Sequence, residues 1–390
     1  MTLESFKEGK LGVEVISEKD IYSISRNIFG FNTISGLPCG ELRNFISESN
    51  SDNEVIHLPT TNEREAVGIA QGAWLAGRTP VLYMQNSGLF EASNDLGSLL
   101  IPSRIPVLFV VSWRGAPGEN ATQHLCTGKA TKNLLRSFEI PYTDIPTKSN
   151  LDKLAEAMKE KSLPGVILLE KEKFNSLVVQ DNSSKEVSLK QPEIYMEKSK
   201  GNHELSREEV LNMLFSDLIN TNDATISSTG LISRSIYQNF DSDNQFYNSG
   251  AFGLTSMIAL GFAVHKKDIK TIAIEGDGSV LTNLGALNVI ANYGGDNFIH
   301  IVLDNNAYMS CSGEKTFGSE YIPQLASILG YKNVYSVFSK EELETILERV
   351  KENCGPQMVH ININRIGERN FRRPLEMASL ARRFRKKFDE

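Results

Sequence analysis

The chain has 390 residues, with 41 lysines and arginines against 48 aspartates and glutamates and a formal net charge of −7. That length suggests about two domains of ordinary size, and 40% hydrophobic with 23% charged residues excludes a disordered chain. The acidic balance argues against a nucleic-acid partner held by bulk charge, no run approaches the roughly 20 apolar residues of a membrane helix, and the N-terminal stretch has no signal-peptide core.

In the first half, residues 31–38 (FNTISGLP) read as a strand ending in a turn, and residues 41–49 (ELRNFISES) as the helix after it. The spacing of Val67, Ile69, Ala70, Ala73, Trp74 and Leu75 predicts a helix opening near Asn62. Residues 80–87 (PVLYMQNS) and 105–115 (IPVLFVVSWRG) are continuous apolar runs of strand length, and residues 165–170 (GVILLE) close this half with another strand. Strands apolar on both faces, alternating with helices, imply a parallel, doubly wound α/β sheet.

Residues 175–204 are polar, lack a sustained period and read as a linker. The alternation restarts with a helix from Ser206, whose Ser-x-x-Glu start is a capping box. Strands over residues 224–229 and 271–278, a helix over 281–293, and strands over 298–306 and 358–364 follow. The chain ends in a basic helix, whose Arg382, Arg383, Arg385, Lys386 and Lys387 read as a solvated face. The expected organisation is therefore two α/β domains, residues 1–174 and 205–390, with no third domain between them. Cys39, Cys126, Cys311 and Cys354 show no C-x-x-C spacing, which fits reduced thiols in a cytoplasm better than a disulfide frame or a zinc site.

The segment from Glu275 to Gly313 carries the most chemistry. One strand ends in Gly276-Asp277-Gly278-Ser279, and the next ends in Asp304-Asn305-Asn306. Parallel strands release their C-termini on one edge, so Asp277 and Asn305 become neighbours although 28 positions apart. A carboxylate, an amide oxygen and a nearby main-chain carbonyl are hard donors suited to Mg²⁺. Gly278 and Ser279 open the following helix, whose first amides can hold a diphosphate bridged to that metal. A lone Gly-Asp-Gly is a common turn, and a calcium loop would need further acidic ligands where residues 281–290 are apolar. The paired strand ends are much more specific.

That pair resembles the motif of thiamin diphosphate enzymes. The resemblance implies that Asp277, the side chain of Asn305 and the main-chain oxygen of Ala307 bind Mg²⁺, with Asn306 as the second choice to Asn305. It also implies cofactor contacts from Gly278, Ser279, Asn305, Thr229, Gly230, Phe252 and Gly253. In such enzymes a glutamate at the start of a helix in the pyrimidine-binding half contacts the aminopyrimidine. Thr60-Thr61-Asn62-Glu63 matches that context and makes Glu63 the catalytic carboxyl, although a first-turn acid is also favoured by the helix dipole. Glu65 falls inside the helix and reads as structural.

The match extends over nearly the whole chain and is closest to the short phosphonopyruvate and sulfopyruvate decarboxylases, in which a linker replaces a central domain. Residues 36–42 (GLPCGEL), 83–89 (YMQNSGL), 113–124 (WRGAPGENATQH), 227–234 (SSTGLISR), 250–263 (GAFGLTSMIALGFA) and 368–374 (ERNFRRP) resemble segments of that group. The implied function is thiamin diphosphate-dependent decarboxylation of 3-phosphonopyruvate to phosphonoacetaldehyde and CO₂. Sulfopyruvate decarboxylation or a carboligation are the alternatives. Arg114 would read the anion at C3 as a planar, permanent charge, and Gln85, Asn86, Ser87, Gln123, His124 and Cys39 would add further substrate contacts. Cys39 stands where phosphonopyruvate decarboxylases have Asp, Phe252 replaces a bulky Met, and Leu254 cannot supply the group's imidazole. The resemblance further implies a homodimer or larger assembly with active sites between subunits. A nicotinamide-dependent oxidoreductase is disfavoured, because no G-x-G-x-x-G follows an early strand. A cofactor-binding relic without catalysis is disfavoured by Glu63.

Overall fold

The computed structural model describes residues 7–9, 13–15, 18–170, 193–195 and 204–389. The chain divides into two compact units, Met1–Ala70 with Arg78–Glu186 and Gln71–Gly77 with Val187–Glu390. Among the described residues, no helix is long and apolar enough to cross a membrane.

The first unit opens with an antiparallel pair, β1 (Lys7–Gly9) and β2 (Val13–Val15). Its main sheet holds β3 (Thr33–Gly36), β4 (Ile56–Pro59), β5 (Pro80–Gln85), β6 (Leu108–Ser112), β7 (Tyr142–Thr143) and β8 (Gly165–Leu169). They lie in the order β4-β3-β5-β6-β8-β7 with every pair parallel. The apolar runs form strands because both of their faces are covered: all five residues of β6 and of β8 are buried. The helices Glu18–Phe29, Arg43–Ser51 and Lys148–Lys161 contribute Ile21, Phe45 and Leu151 to one cluster with Ile34, Tyr83, Val110 and Ile167.

The second unit repeats the plan. Its strands are β9 (Glu193–Tyr195), β10 (Ala224–Ser227), β11 (Gln245–Tyr247), β12 (Thr271–Gly276), β13 (Phe298–Asp304), β14 (Asn333–Val337) and β15 (Gln357–Asn362). Their order is β11-β10-β12-β13-β15-β14-β9, again with every pair parallel. The expected α/β class with two doubly wound parallel sheets is thus the observed one. In each sheet the strand order reverses near one end, between β3 and β5 and between β10 and β12, and again further along, at β8 and at β15. Such reversals leave a crevice beyond the strand C-termini, where α/β sheets hold ligands.

Three details differ from expectation. Within the expected linker, Glu193–Tyr195 is an edge strand parallel to β14, while residues 175–192 and 196–203 lie outside the described residues. The helix expected over 281–293 is two helices, Asp277–Thr282 and Gly285–Tyr293. Asn283 breaks it at φ −145°, where its buried amide donates to the carbonyl of Gly253 at 3.1 Å. This tertiary bond outweighs the helical continuity that the apolar spacing suggests. Finally, Arg383 of the basic helix Met377–Phe388 is no free surface charge, because it clamps Asp241 with two bonds of 3.0 and 2.6 Å. The Ser206 capping box forms as expected, with Ser206 and Glu209 serving each other's main chain.

Candidate active site

Four neighbouring strands of the second sheet, β10, β12, β13 and β15, end at one cleft. Thr229 and Gly230 follow β10, Asp277, Gly278 and Ser279 follow β12, Asn305 and Ala307 follow β13, and Phe252 joins the wall. Gly230 takes φ +93° and has nothing within 4 Å of where a Cβ would sit, so bare backbone forms this part of the wall. Gly253, expected among the contacts, is not part of the lining. Its carbonyl instead accepts from Asn283 and so fixes the helix break.

Strand register sets Gly276 opposite Leu303, which brings Asp277 beside Asp304. The two buried carboxyls share a hydrogen bond, and Thr316 Oγ1 donates to Asp277 Oδ2. Burial and the charge of Asp304 push Asp277 up to about 7. Burial raises Asp304 as well, but the hydrogen bond and charge of His360, at 2.9 Å, outweigh it and hold Asp304 below the usual range. Asp304 also accepts from the Asn306 amide at 2.7 Å and so shapes the turn that carries Asn305. Sequence reasoning passed over Asp304 as a flank of that turn; its signal was the register that puts two acids side by side.

Asn305 faces the cleft. Its Oδ1 accepts from the Ala307 amide at 3.0 Å, which leaves one lone pair for another partner. Asn306 sits at φ +55° outside the lining, with a buried Oδ1 that has no partner among the described residues. The Ala307 oxygen accepts from Met309 at 3.0 Å and likewise keeps a second lone pair. Ser279 spends its hydroxyl proton on Glu275 Oε2 at 2.6 Å, so toward the cleft it has only its main-chain N–H and a lone pair to offer. Glu275 is held from its other side by His300 at 2.8 Å. The rim adds Arg207, Arg365 and Arg369, none of which the sequence singled out. Arg365 donates to the carbonyls of Asn305 at 3.1 Å and Asn306 at 2.8 Å, clamping the turn from outside.

In the first unit, Cys39, Glu63 and Arg114 follow β3, β4 and β6, and Gln85 ends β5, four adjacent strands of that sheet. Glu63 opens the helix Glu63–Leu75 and is 7% exposed. Burial pushes its carboxyl up, and the charge of Glu91 adds to the shift. Asn62 caps the helix by accepting from the Glu65 amide at 3.0 Å. Arg64 anchors the first turn to the buried Asp95 through bonds of 2.7 and 3.2 Å. Glu65 is structural, as expected: its carboxylate takes the Thr61 amide at 2.8 Å and the Thr61 hydroxyl at 2.9 Å. The backbone of Gly88, in the helix Asn86–Glu91, lies directly against the Glu63 carboxyl.

The residues expected to read substrate separate into two groups. Gln85 and Ser87 are paired at 2.7 Å, and Gln123 and His124 lie in the first turn of the helix Thr122–Ser137. Cys39 Sγ stands 3.4 Å from Ser112 Oγ. Asn86, by contrast, is fully buried and fully engaged. It donates to the Arg114 carbonyl at 2.8 Å and to Thr131 at 3.0 Å, and it accepts from the Arg114 amide at 3.2 Å. Asn86 therefore positions Arg114 instead of facing a ligand.

Arg114 itself is already engaged by acids. Its Nε and Nη2 both donate to Glu119 Oε1, at 2.9 and 2.7 Å, and Glu41 stands 3.7 Å from Nη1. One guanidinium between two carboxylates leaves a local charge of −1, which disfavours a further anion. Only the Nη1 edge remains available for hydrogen bonding.

With this geometry in view, the matches to known proteins become informative. Residues 228–361 match the family model described as the thiamine pyrophosphate enzyme C-terminal TPP-binding domain. The fold is shared with 4-hydroxybenzoylformate decarboxylase of Rhodococcus jostii, a thiamine diphosphate-dependent enzyme by its title, at TM-score 0.70 and 11% identity over 90% of this chain and 99% of that one. The residues after β10, β12 and β13 thus lie within the matched thiamine pyrophosphate-binding domain. A phosphonopyruvate decarboxylase of Streptomyces viridochromogenes is 33% identical over 91% of each chain. A sulfopyruvate decarboxylase of Methanosarcina acetivorans is 29% identical over 85% of this chain and 87% of its own. The chain belongs to the family of phosphonopyruvate decarboxylases, which are carbon–carbon lyases.

Proposed function

We propose that this protein decarboxylates 3-phosphonopyruvate to phosphonoacetaldehyde and CO₂, using thiamin diphosphate held through Mg²⁺. The observation that carries the proposal is the oxygen set on one cleft wall, Asp277 with Asn305 and Ala307, at the β10–β12 reversal of the second sheet. The donor set fits the group: one carboxylate, one amide oxygen and one main-chain oxygen, each with a lone pair to spare, make a hard-cation site. Among the described residues, no cluster of three or more His, Cys, Asp and Glu side chains offers an alternative metal site. The bare backbone at Gly230 and the helix start at Gly278 and Ser279 suit a diphosphate that must approach closely.

When bound, the cofactor supplies the sink for the electron pair released as CO₂ departs. The rest falls to the chain's own residues. Asp277, Asn305 and Ala307 would hold the metal, and Thr229, Gly230, Phe252, Gly278 and Ser279 would bound the cofactor. Gly253 would act through Asn283. Glu63, whose burial favours its protonated form, would hold and return a proton at the aminopyrimidine. Cys39, Gln85, Ser87, Gln123, His124 and the Nη1 edge of Arg114 would bound the substrate, with Asn86 holding Arg114 in place.

Two further proposals accompany this reading. The enzyme works as a homodimer or larger assembly in which the first unit of one subunit serves the second unit of another. Phe317, Tyr321 and Ile328, exposed by 79%, 59% and 73%, suit such a contact. Four free cysteines, three of them exposed, suit the reducing cytoplasm. A sulfopyruvate reading is the second one, favoured by Cys39 in place of the Asp of phosphonopyruvate decarboxylases and by the similarity to the Methanosarcina acetivorans enzyme. Steady-state assays of CO₂ and aldehyde from phosphonopyruvate, sulfopyruvate and pyruvate decide between them. A higher kcat/KM for sulfopyruvate than for phosphonopyruvate would sink the substrate assignment.

A further inference from the structure

A substrate with a carboxylate at C1 and a phosphonate at C3 needs, for the second group, a cation without a carboxylate beside it. The first unit does not offer one at Arg114, which Glu119 bridges and Glu41 approaches to 3.7 Å. The second unit does. Among the described residues, its cleft wall carries Arg207, Arg365 and Arg369, with Asp277 as the acid in the lining. Arg207 is 9% exposed, its charge is answered by Glu208, and its Nη2 also donates to the Glu368 carbonyl, which leaves the buried Nε without a partner among the described residues. Arg365 is spent on the carbonyls of the Asn305–Asn306 turn, although its charge has no acidic partner among the described residues. Arg369 is exposed, lines the same cleft, and makes no hydrogen bond, ion pair or ring contact among the described residues.

A guanidinium costs least to recruit where no internal partner must first be displaced, and its fork presents two parallel donors to a phosphonate or sulfonate. We propose that Arg369 binds the C3 anion of the substrate, with the carboxylate-free charge of Arg365 behind it, and is thereby the specificity-determining residue. This rests on the decarboxylase reading above. It moves anion selection from the residues after β6 to the segment after β15. Arg369 and Arg365 follow the same strand end, so one short segment would both clamp the Asn305–Asn306 turn and select the substrate.

The test uses full-length protein loaded with thiamin diphosphate and Mg²⁺, as wild type and as Arg369→Ala, Arg369→Gln and Arg369→Lys. Three quantities are read: kcat/KM for phosphonopyruvate and for pyruvate, calorimetric binding of phosphonoacetate, and thiamin diphosphate affinity. The Ala and Gln variants should lower the phosphonopyruvate-to-pyruvate preference by about 10- to 100-fold and weaken phosphonoacetate by a similar factor, the scale of a lost charge-assisted pair. Lys should restore only part of this. Thiamin diphosphate affinity should stay within about twofold. Unchanged preference and unchanged phosphonoacetate binding would overturn the inference, and so would a matching loss of cofactor affinity, which would assign Arg369 to the diphosphate. Phosphonoacetate binding is read without turnover. A wild-type protein that binds it through Arg369 yet leaves phosphonopyruvate untouched would overturn the decarboxylase reading and keep this one.

Discussion

Gly88→Ala isolates the placement of Glu63 from its chemistry. A Cβ on Gly88 would lie 2.2 Å from Glu63 Cγ and Oε1 and 2.3 Å from Cδ, far inside van der Waals contact. Gly88 sits in a helix, where alanine is intrinsically better than glycine by about 1 kcal/mol, so the helix itself gains from the change. The conflict is relieved by the Glu63 side chain, whose carboxyl must move by about 1 Å, and misplacement on that scale costs on the order of 10²-fold in rate. Glu63→Gln should cost about as much, at roughly 10²-fold or more, by removing the proton. Because both changes disable one group, the double variant should be no slower than Glu63→Gln alone. The assays are kcat for CO₂ release, thiamin diphosphate affinity and a urea melt, with the last two expected near wild type for Gly88→Ala. A wild-type rate in Gly88→Ala, or multiplicative losses in the double variant, would refute the placement argument.

Asp277→Ala should abolish Mg²⁺-dependent retention of thiamin diphosphate while the fold survives, since it removes the carboxylate on the cleft wall; calorimetric titration with wild-type affinity would remove the metal assignment. Arg114→Ala should slow phosphonopyruvate and pyruvate by similar factors, because a guanidinium held between Glu119 and Glu41 serves no single anion; a selective loss on phosphonopyruvate, measured as a ratio of kcat/KM values, would restore Arg114 as the anion reader. Gly36→Ala should lower stability by more than about 3 kcal/mol in urea unfolding, because its Cβ would meet the Tyr83 main-chain oxygen at 2.0 Å across β3 and β5, where neither side can yield; a shift within about 0.5 kcal/mol would mean that the sheet relaxes freely.

What the sequence reveals here is what strand ends and helix starts encode locally. The continuous apolar runs became strands because burial on both faces permits them, and Ser206 and Asn62 cap helices where their short side chains suggest. Asp277, Asn305 and Ala307 reach one cleft because parallel strands share an edge. The residues missed depend on contacts between distant positions. Arg365 meets the Asn305–Asn306 turn from 59 and 60 positions away. Glu41 reaches Arg114 from another strand end, and no spacing rule pairs them. The break at Asn283 hides for the same reason: its partner, the Gly253 carbonyl, lies 30 residues earlier, so the apolar spacing reads as one helix.

The local charges also bear on which sheet edge is the better place for a substrate anion. Around β3 and β6 the acids Glu41 and Glu119 outnumber Arg114, and at the end of β4 burial keeps Glu63 ready to hold a proton. Such an edge suits a proton-handling carboxyl and repels a dianion. Around β12, β13 and β15 the cleft wall carries Arg207, Arg365 and Arg369; Glu208 answers Arg207, but Arg365 and Arg369 have no acidic partner among the described residues, so this edge is the more receptive to an anion. A strand-end arginine looks the same in sequence whether its neighbours neutralise it or leave it open. Arg114 and Arg369 differ in their partners, not in their residue type. For the same reason Glu119→Gln, which removes one of the two carboxylates beside Arg114, should bring the local charge from −1 to zero and make Arg114 more receptive to an anion without giving it the open position of Arg369.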